Sequence, residues 1–398
     1  MNQDFISLGL DEVIVQAIDQ LGFQKPTPVQ EKSIPIVLND DTDLVALAQT
    51  GTGKTASFGL PLIQKINNDN KNTQALVLAP TRELCIQITG DLKNFARFKK
   101  TNVVAVYGGA SITDQARSLK RGSQIIVATP GRLQDMINRR LVNLSHIDYL
   151  VLDEADEMLN MGFQEAIDEI LETASENRNT WLYSATMPKS VAKIASNYMN
   201  NPIEITCGTK NQAASTVDHG YYLIDHRDRY KVLRRIVDSH PSIYAIVFCR
   251  TRAETQSVAE RLQADGYNTG GLHGDMSQVQ RDGVMKQFKT KNITILVATD
   301  VASRGIDVDD ISHVIHYQLP DDLEVYTHRS GRTGRAGKEG SSLAIVGRKD
   351  KFKLSQIEQS INRRIDQKMV PSGEEVMTSM VMKSIDDLLN TTIQTQSL

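Results

Sequence analysis

With 398 residues, 40% hydrophobic and 23% charged, the chain is too long for one ordinary core and too apolar for disorder, so two domains and a short extension are expected. Forty-five basic against 48 acidic residues leave a formal charge of -3, which excludes a broadly basic surface and confines any nucleic-acid site to a local patch. Secretion and membrane insertion are excluded as expectations: no basic segment leads into an apolar run at the N-terminus, no stretch reaches the roughly 18 apolar residues of a span, and Cys85, Cys207 and Cys249 read as separate reduced thiols.

Short apolar runs alternate with helical patterns from the start of the chain. Strands are predicted at Asp43 to Ala48, Ala75 to Ala79, Val103 to Tyr107, Gln124 to Ala128, Tyr149 to Leu152 and Thr180 to Tyr183, an order that reads as a parallel sheet wrapped in helices. From Asn200 to Val217 periodicity fades into linker chemistry, with a boundary near Gly208. A second series follows at Tyr244 to Phe248, Ile293 to Ala298, His313 to His316 and Ser342 to Val346, with a helix such as Ala253 to Asp265 between strands. Beyond Lys349 the strands are expected to stop. A charged helical pattern carrying Arg363, Arg364 and Lys368 breaks at Pro371-Ser372-Gly373, and Val376 to Leu398 reads as a helix with a frayed tail. Its apolar positions Val376, Met377, Met380, Val381, Ile385, Leu388 and Leu389 have helical spacing and are expected to pack on the second domain, with a partner's surface as the alternative. The expected layout is a first domain over 1–207, a linker over 208–216, a second domain over 217–362 and an extension over 363–398.

After the first apolar strand comes Ala48-Gln49-Thr50-Gly51-Thr52-Gly53-Lys54-Thr55, leading into the helix-compatible Ala56 to Gln64. This is the context of a phosphate-binding loop. Glycines let backbone N–H groups converge on phosphate oxygens, Lys54 brings a point charge to the terminal phosphates, and the Thr55 hydroxyl can ligate Mg²⁺. Ala48 replaces the first glycine of the usual pattern. Downstream, the strand Tyr149 to Leu152 runs into Asp153-Glu154-Ala155-Asp156. A carboxylate at the tip of a buried strand suits a metal opposite the phosphate loop, so Asp153 is read as holding Mg²⁺ and Glu154 as positioning the attacking water. Asp156 is expected to couple neighbouring motifs instead.

The phosphate loop with Asp-Glu-Ala-Asp resembles the DEAD-box RNA helicases, a resemblance that extends from Phe5 to about Gly340. It implies two tandem RecA-like α/β domains, each a mostly parallel sheet flanked by helices, with ATP and Mg²⁺ as cofactors. Phe5, Phe23, Lys25, Thr27 and Gln30 match the family's adenine-recognition segment; a Gln30 amide that accepts from adenine N6 and donates to N7 predicts ATP over GTP. The ATP site would also take Gln49, Thr50, Gly51, Thr52, Gly53, Lys54 and Thr55. Pro80-Thr81-Arg82, Gly108-Gly109 and Thr129-Pro130-Gly131-Arg132 are similar to the family's RNA-contacting motifs, and their hydroxyl, guanidinium and bare backbone groups suit phosphate and sugar without reading base identity. Ser184 and Thr186 match the motif that links hydrolysis to unwinding.

In the second series Arg250, Thr251, Gly274 and Arg281 follow the family pattern more loosely, as RNA contacts. The run Thr299 to Asp307 is a closer match: Thr299 and Asp300 are implied at RNA, Gly305 and Asp307 at ATP, and Arg304 in coupling. Ser303 stands where the family usually has alanine. In His328-Arg329-Ser330-Gly331-Arg332-Thr333-Gly334-Arg335 the resemblance implies a coupling His328 and two arginine fingers, Arg332 and Arg335, facing the γ-phosphate when the domains close.

The resemblance thus implies an RNA-stimulated ATPase that closes two domains on single-stranded RNA, bending one strand of a duplex and releasing its partner. It also implies a bacterial cytoplasmic setting, a monomeric core, no membrane, and partners among ribosomal or RNA-decay assemblies. Two other functions fit the same motifs: a DNA-directed translocase on the same two-domain plan, and an ATP-gated RNA clamp that turns over slowly. Phe5, Gln30 and the Asp-Glu-Ala-Asp run count against the first; intact Glu154, Arg332 and Arg335 count against the second.

Overall fold

The computed structural model describes residues 2–39, 41–49, 51–207, 216–303, 308, 310–334 and 338–396, with the side chains at 226, 387 and 390–396 excepted. The chain divides into two compact units, the first ending and the second beginning within the undescribed 208–215 segment.

The first unit holds seven parallel strands: β1 (Leu44–Ala48), β2 (Ala75–Leu78), β3 (Val103–Val106), β4 (Ile125–Ala128), β5 (Tyr149–Asp153), β6 (Asn179–Ser184) and β7 (Ile203–Cys207). Their order across the sheet is β3-β4-β2-β5-β6-β1-β7. Alternate side chains serve opposite helical layers, as the two-residue pleat requires. Leu44, Ala46, Ala75 and Val77 join the core beneath helices Glu12–Gln20, Lys54–Lys65 and Arg82–Phe95. Val45, Leu47, Leu76 and Leu78 join the core on the other face, beneath Pro130–Asn138, Gln164–Thr173 and Lys189–Tyr198. Each fully buried aliphatic side chain contributes roughly 1.5–3 kcal/mol, so the strand ends rest on a rigid platform.

The second unit carries β8 (Val217–Ile224), β9 (Ala245–Cys249), β10 (Thr269–Leu272), β11 (Ile295–Thr299), β12 (His313–His316), β13 (Gly340–Gly347) and β14 (Asp366–Lys368), ordered β10-β11-β9-β12-β13-β8-β14. Numbered from its own first strand, this sheet repeats the strand order of the first. The two halves share one topology, as tandem RecA-like domains require.

Three sequence expectations are corrected here. Within the stretch read as linker, Ile203–Cys207 pairs with β1 as an edge strand. Strands do not stop at Lys349, because Asp366–Lys368 pairs with β8. The C-terminal helix, Gly373–Gln396, leaves Met377, Leu388 and Leu389 more than half exposed, so its apolar positions do not all pack on the domain. Among the described residues no helix is long and apolar enough to cross a membrane.

Candidate active site and nucleic-acid interface

Neighbouring strands β1, β6 and β5 end on the same edge of the first sheet, because Leu47 registers with Ser184 and Asp153 with Tyr183. That register brings the phosphate loop, the Ser184–Thr186 turn and the Asp153–Asp156 run together. The loop reverses direction through left-handed glycines, Gly51 at φ 79° and Gly53 at φ 87°, and the Thr52 hydroxyl donates to the Gln49 carbonyl at 2.7 Å. Helix Lys54–Lys65 then starts with its free N–H groups at the loop, a placement suited to an anion. Lys54 is buried, and its Nζ meets no hydrogen-bond partner among the described residues; Glu154 Oε2 is buried and equally alone. Burying a charged group without a hydrogen-bond partner is costly, so both groups fit a site completed by ligand: phosphate at Lys54, a polarised water at Glu154. Glu154 itself sits in left-handed backbone at φ 52°, a strained placement for a non-glycine residue, and Asp153 Oδ1 accepts its N–H at 3.0 Å.

Burial drives the Asp153 carboxyl above its ordinary range, opposed by the charge of Lys54 and reinforced by Glu154 and Asp156. A carboxylate so placed gains from a cation beside it. Among the described residues no cluster of three or more His, Cys, Asp or Glu side chains could hold a metal alone. One carboxylate, Asp153, and one hydroxyl, Thr55, instead match Mg²⁺, which keeps waters and leans on substrate phosphates.

Gln30 reaches the loop from helix Pro28–Asn39. Its Oε1 accepts from the Thr27 backbone N–H at 3.0 Å, and its Nε2 donates to the Gly53 carbonyl at 3.0 Å. A Cβ on Gly53 would stand 2.5 Å from Gln30 Nε2, so glycine is needed there for both φ and close approach. The residue expected to read adenine is therefore wired directly to the phosphate loop. Phe23 is half-buried between Phe5 and Phe95, with ring centroids 6.1 Å apart on each side. Phe5 is 0% exposed. Phe5, expected against ATP, thus lies in the core with its ring edge-on to Phe23. Asn2, which the spacing did not single out, caps the first helix and donates to the carbonyls of Phe23 and Gln24. Lys25 is exposed on the same segment.

Asp156 joins two motifs in the buried interior. Its Oδ2 accepts from the Thr186 N–H at 2.9 Å and from the Thr186 hydroxyl at 2.8 Å, while its own N–H donates to Ser184 Oγ at 3.3 Å.

Strands β2, β4 and β3 carry the other expected cluster on the same edge. Thr81 Oγ1 accepts from Leu84 N–H as the N-cap of helix Arg82–Phe95, and the Arg82 guanidinium lies 5.1 Å from the Tyr107 ring. Arg132 donates to the Ala110 carbonyl at 3.0 Å and to Gln115 Oε1 at 3.3 Å, and Gln115 in turn donates to the Tyr107 carbonyl. Gln115, unmarked by any motif, thus fixes the turn that carries Gly108 and Gly109, the latter at φ 82°. Thr129 and Pro130 are buried at the start of their helix and Gly131 is exposed.

In the second unit the expected RNA residues also gather at strand ends. Thr251 Oγ1 caps helix Arg252–Ala264 by accepting from Glu254 N–H, Arg250 pairs with Asp321, Gly274 lies against Arg252, and Arg281 donates to the Ala302 carbonyl at 3.3 Å. Thr299 ends β11 nearly buried. The Asp300 carboxylate, expected at RNA, accepts two hydrogen bonds from Arg329, one of them 2.7 Å. His328 and Arg332 are buried around the end of helix Leu323–Ser330. Thr50, Arg304, Gly305, Asp307 and Arg335 lie outside the described residues.

A family model described as DEAD/DEAH box helicase matches residues 27–194, and one described as helicase conserved C-terminal domain matches residues 228–337. The chain is 44% identical to the ATP-dependent RNA helicase CshA of Listeria monocytogenes over 377 residues, 95% of this chain and 72% of the relative. Two solved structures are also similar. S. cerevisiae Dbp5 bound to RNA and ADP BeF3 gives a TM-score of 0.85 at 28% identity, covering 96% of this chain and 99% of that one. Mss116p bound to ssRNA and AMP-PNP gives 0.82 at 30%, covering 97% and 83%.

Proposed function

The chain belongs to the DEAD-box ATP-dependent RNA helicases, and from that premise we propose how its residues divide the work of an RNA-stimulated ATPase that remodels RNA. Lys54 and the loop Gln49 to Thr55 hold the phosphates, Gln30 and Phe23 hold the adenine, and Glu154 orients the attacking water. Bound between Asp153, Thr55 and the phosphates, Mg²⁺ would neutralise charge on the transferred group. Arg332 approaches the γ-phosphate when ATP and single-stranded RNA draw the two domains together, a contribution worth roughly a thousandfold to a hundred-thousandfold in turnover for such arginines.

Thr81, Arg82, Gly109, Arg132, Thr251 and Thr299 hold one RNA strand by phosphate and sugar, so binding tolerates any sequence and weakens with salt. Loss of the γ-phosphate reopens the domains and frees the strand. The observation that carries this reading is the pair of buried groups, Lys54 Nζ and Glu154 Oε2, that meet no hydrogen-bond partner among the described residues and lie at one sheet edge. A cytoplasmic monomer acting on ribosomal or RNA-decay assemblies is the setting we assign. Fluorescence energy transfer between dyes on the two domains tests the reading. Transfer should rise only when a non-hydrolysable ATP analogue and single-stranded RNA are both present; a rise with RNA alone, or none with both, contradicts it.

A further inference from the structure

Arg329 is 2% exposed, and its guanidinium is held on several sides. Besides its paired bonds to Asp300, it donates to the Gln318 carbonyl at 2.9 Å and lies 5.0 Å from the Phe248 ring of β9. Its own carbonyl accepts the Arg332 N–H at 3.0 Å, so the turn bearing Arg332 is hung on Arg329. Gln318 follows the end of β12, where the Tyr317 N–H still bonds to the Phe248 carbonyl. From there its Nε2 donates to Glu254 Oε1 at 2.9 Å. Glu254 Oε2 accepts from the Arg250 N–H at 3.4 Å, and the Glu254 N–H donates to Thr251 Oγ1 at 3.2 Å. Linked hydrogen bonds therefore run from the Arg250 N–H and the Thr251 hydroxyl through Glu254 to the Gln318 side-chain amide, and from the Gln318 backbone carbonyl through Arg329 to Arg332, with Asp300 at the end of β11 attached to the same arginine.

We infer that Gln318 is a positioning residue that ties the RNA-facing ends of β9 and β11 to the turn carrying Arg332, so that occupancy of Arg250, Thr251 and Thr299 by RNA sets where Arg332 stands. The chemistry demands a neutral donor at this position. A carboxylate at 318 would face Glu254 across a hydrogen-bond distance and repel it, and an aliphatic side chain would take away the donor to Glu254 Oε1, leaving only the Arg250 N–H on Oε2. The inference rests on the proposed finger role of Arg332, which its test must separate.

Four variants of the full chain are compared by steady-state ATP hydrolysis with saturating single-stranded RNA and by thermal unfolding: Gln318→Leu, Gln318→Glu, the swap Gln318→Glu with Glu254→Gln, and Arg332→Ala. Gln318→Leu should lower kcat about 3- to 30-fold, the span expected of a residue that transmits coupling without touching the reacting atoms, with KM for ATP within about twofold. Gln318→Glu should fall at least as far. The swap restores one amide and one carboxylate with their positions exchanged, the amide at 254 donating to the carboxylate at 318 and still accepting from the Arg250 N–H, and should return kcat to within about threefold of the original. Wild-type kcat in Gln318→Leu beside a collapsed Arg332→Ala overturns this inference while sparing the finger; a wild-type Arg332→Ala overturns the finger reading itself. If Gln318→Leu does not fold, the swap decides: folded but as slow as Gln318→Glu, it overturns the inference, and recovered, it upholds it.

Discussion

Replacing Thr186 with Val tests the junction between Asp156 and the Ser184–Thr186 turn, because valine keeps the branched shape and removes only the hydroxyl. Both Thr186 and Asp156 are buried, at 8% and 1% exposure, and the lost bond is 2.8 Å long to a carboxylate. A hydrogen bond to a charged group is worth about 1.5–3 kcal/mol. The Thr186 N–H still donates to the same oxygen at 2.9 Å, which keeps the turn in place. For a unit of this size each kcal/mol shifts the melting midpoint by about 2–4 °C, so a fall of about 3–12 °C is expected in calorimetry of the chain. If the bond also transmits hydrolysis to strand separation, duplex displacement per ATP should drop tenfold or more at a temperature where the variant is folded, while RNA-stimulated ATP turnover changes far less. An unshifted midpoint would refute the energetic argument. A normal displacement-to-hydrolysis ratio despite the shift would refute the coupling role and leave Thr186 as a structural cap.

Other expectations follow from the same geometry. Gln30→Leu removes the bonds to Thr27 and Gly53; KM for ATP should rise about tenfold and the preference over GTP should shrink, as hydrolysis assays with both nucleotides would register. Burial, aided by the charge of Arg363, holds the His219 imidazole at about 4, against 6.5 when unfolded. Between those values the unfolded chain binds the extra proton and the folded chain does not, so stability is intact above 6.5 and falls on acidification. At pH 5 the loss is roughly 2 kcal/mol, and His219→Phe should remove that share of the fall in denaturant midpoint between pH 7 and 5, leaving the share of His313 and His316, which burial depresses in the same direction. Gly53→Ala combines a strained φ with a 2.5 Å approach to Gln30, so nucleotide binding measured by calorimetry should weaken at least tenfold.

Strands with continuous apolar runs were readable because burial on both faces leaves no other composition for them; β1, β2, β4 and β9 fall where the runs lie. Those that were missed lack that signal. β10 is Thr-Gly-Gly-Leu, β14 is Asp-Gln-Lys at an edge, β7 is largely exposed, and β8 mixes Asp218, His219 and Gly220 with its apolar residues. Their pairing comes from register with neighbours, which no local pattern records. In the site, chemistry-bearing residues were legible from spacing, yet what holds them was not. That Phe5 is core, that Thr81 and Thr251 cap helices, and that Asp300 answers Arg329 depends on partners that the spacing of motifs does not reveal. Gln115, Gln318 and Asn2 carry no motif at all; ordinary polar residues become positioning groups only once the fold brings a carbonyl or carboxylate to them.

On the proposed division of work, RNA drives ATP hydrolysis through Glu154. Steady-state hydrolysis by the wild type and Glu154→Gln, each without nucleic acid, with single-stranded RNA and with matched DNA, tests it most directly. Strong stimulation by RNA alone, abolished in Glu154→Gln, is the predicted result. Equal stimulation by DNA, or undiminished turnover in the variant, would contradict it.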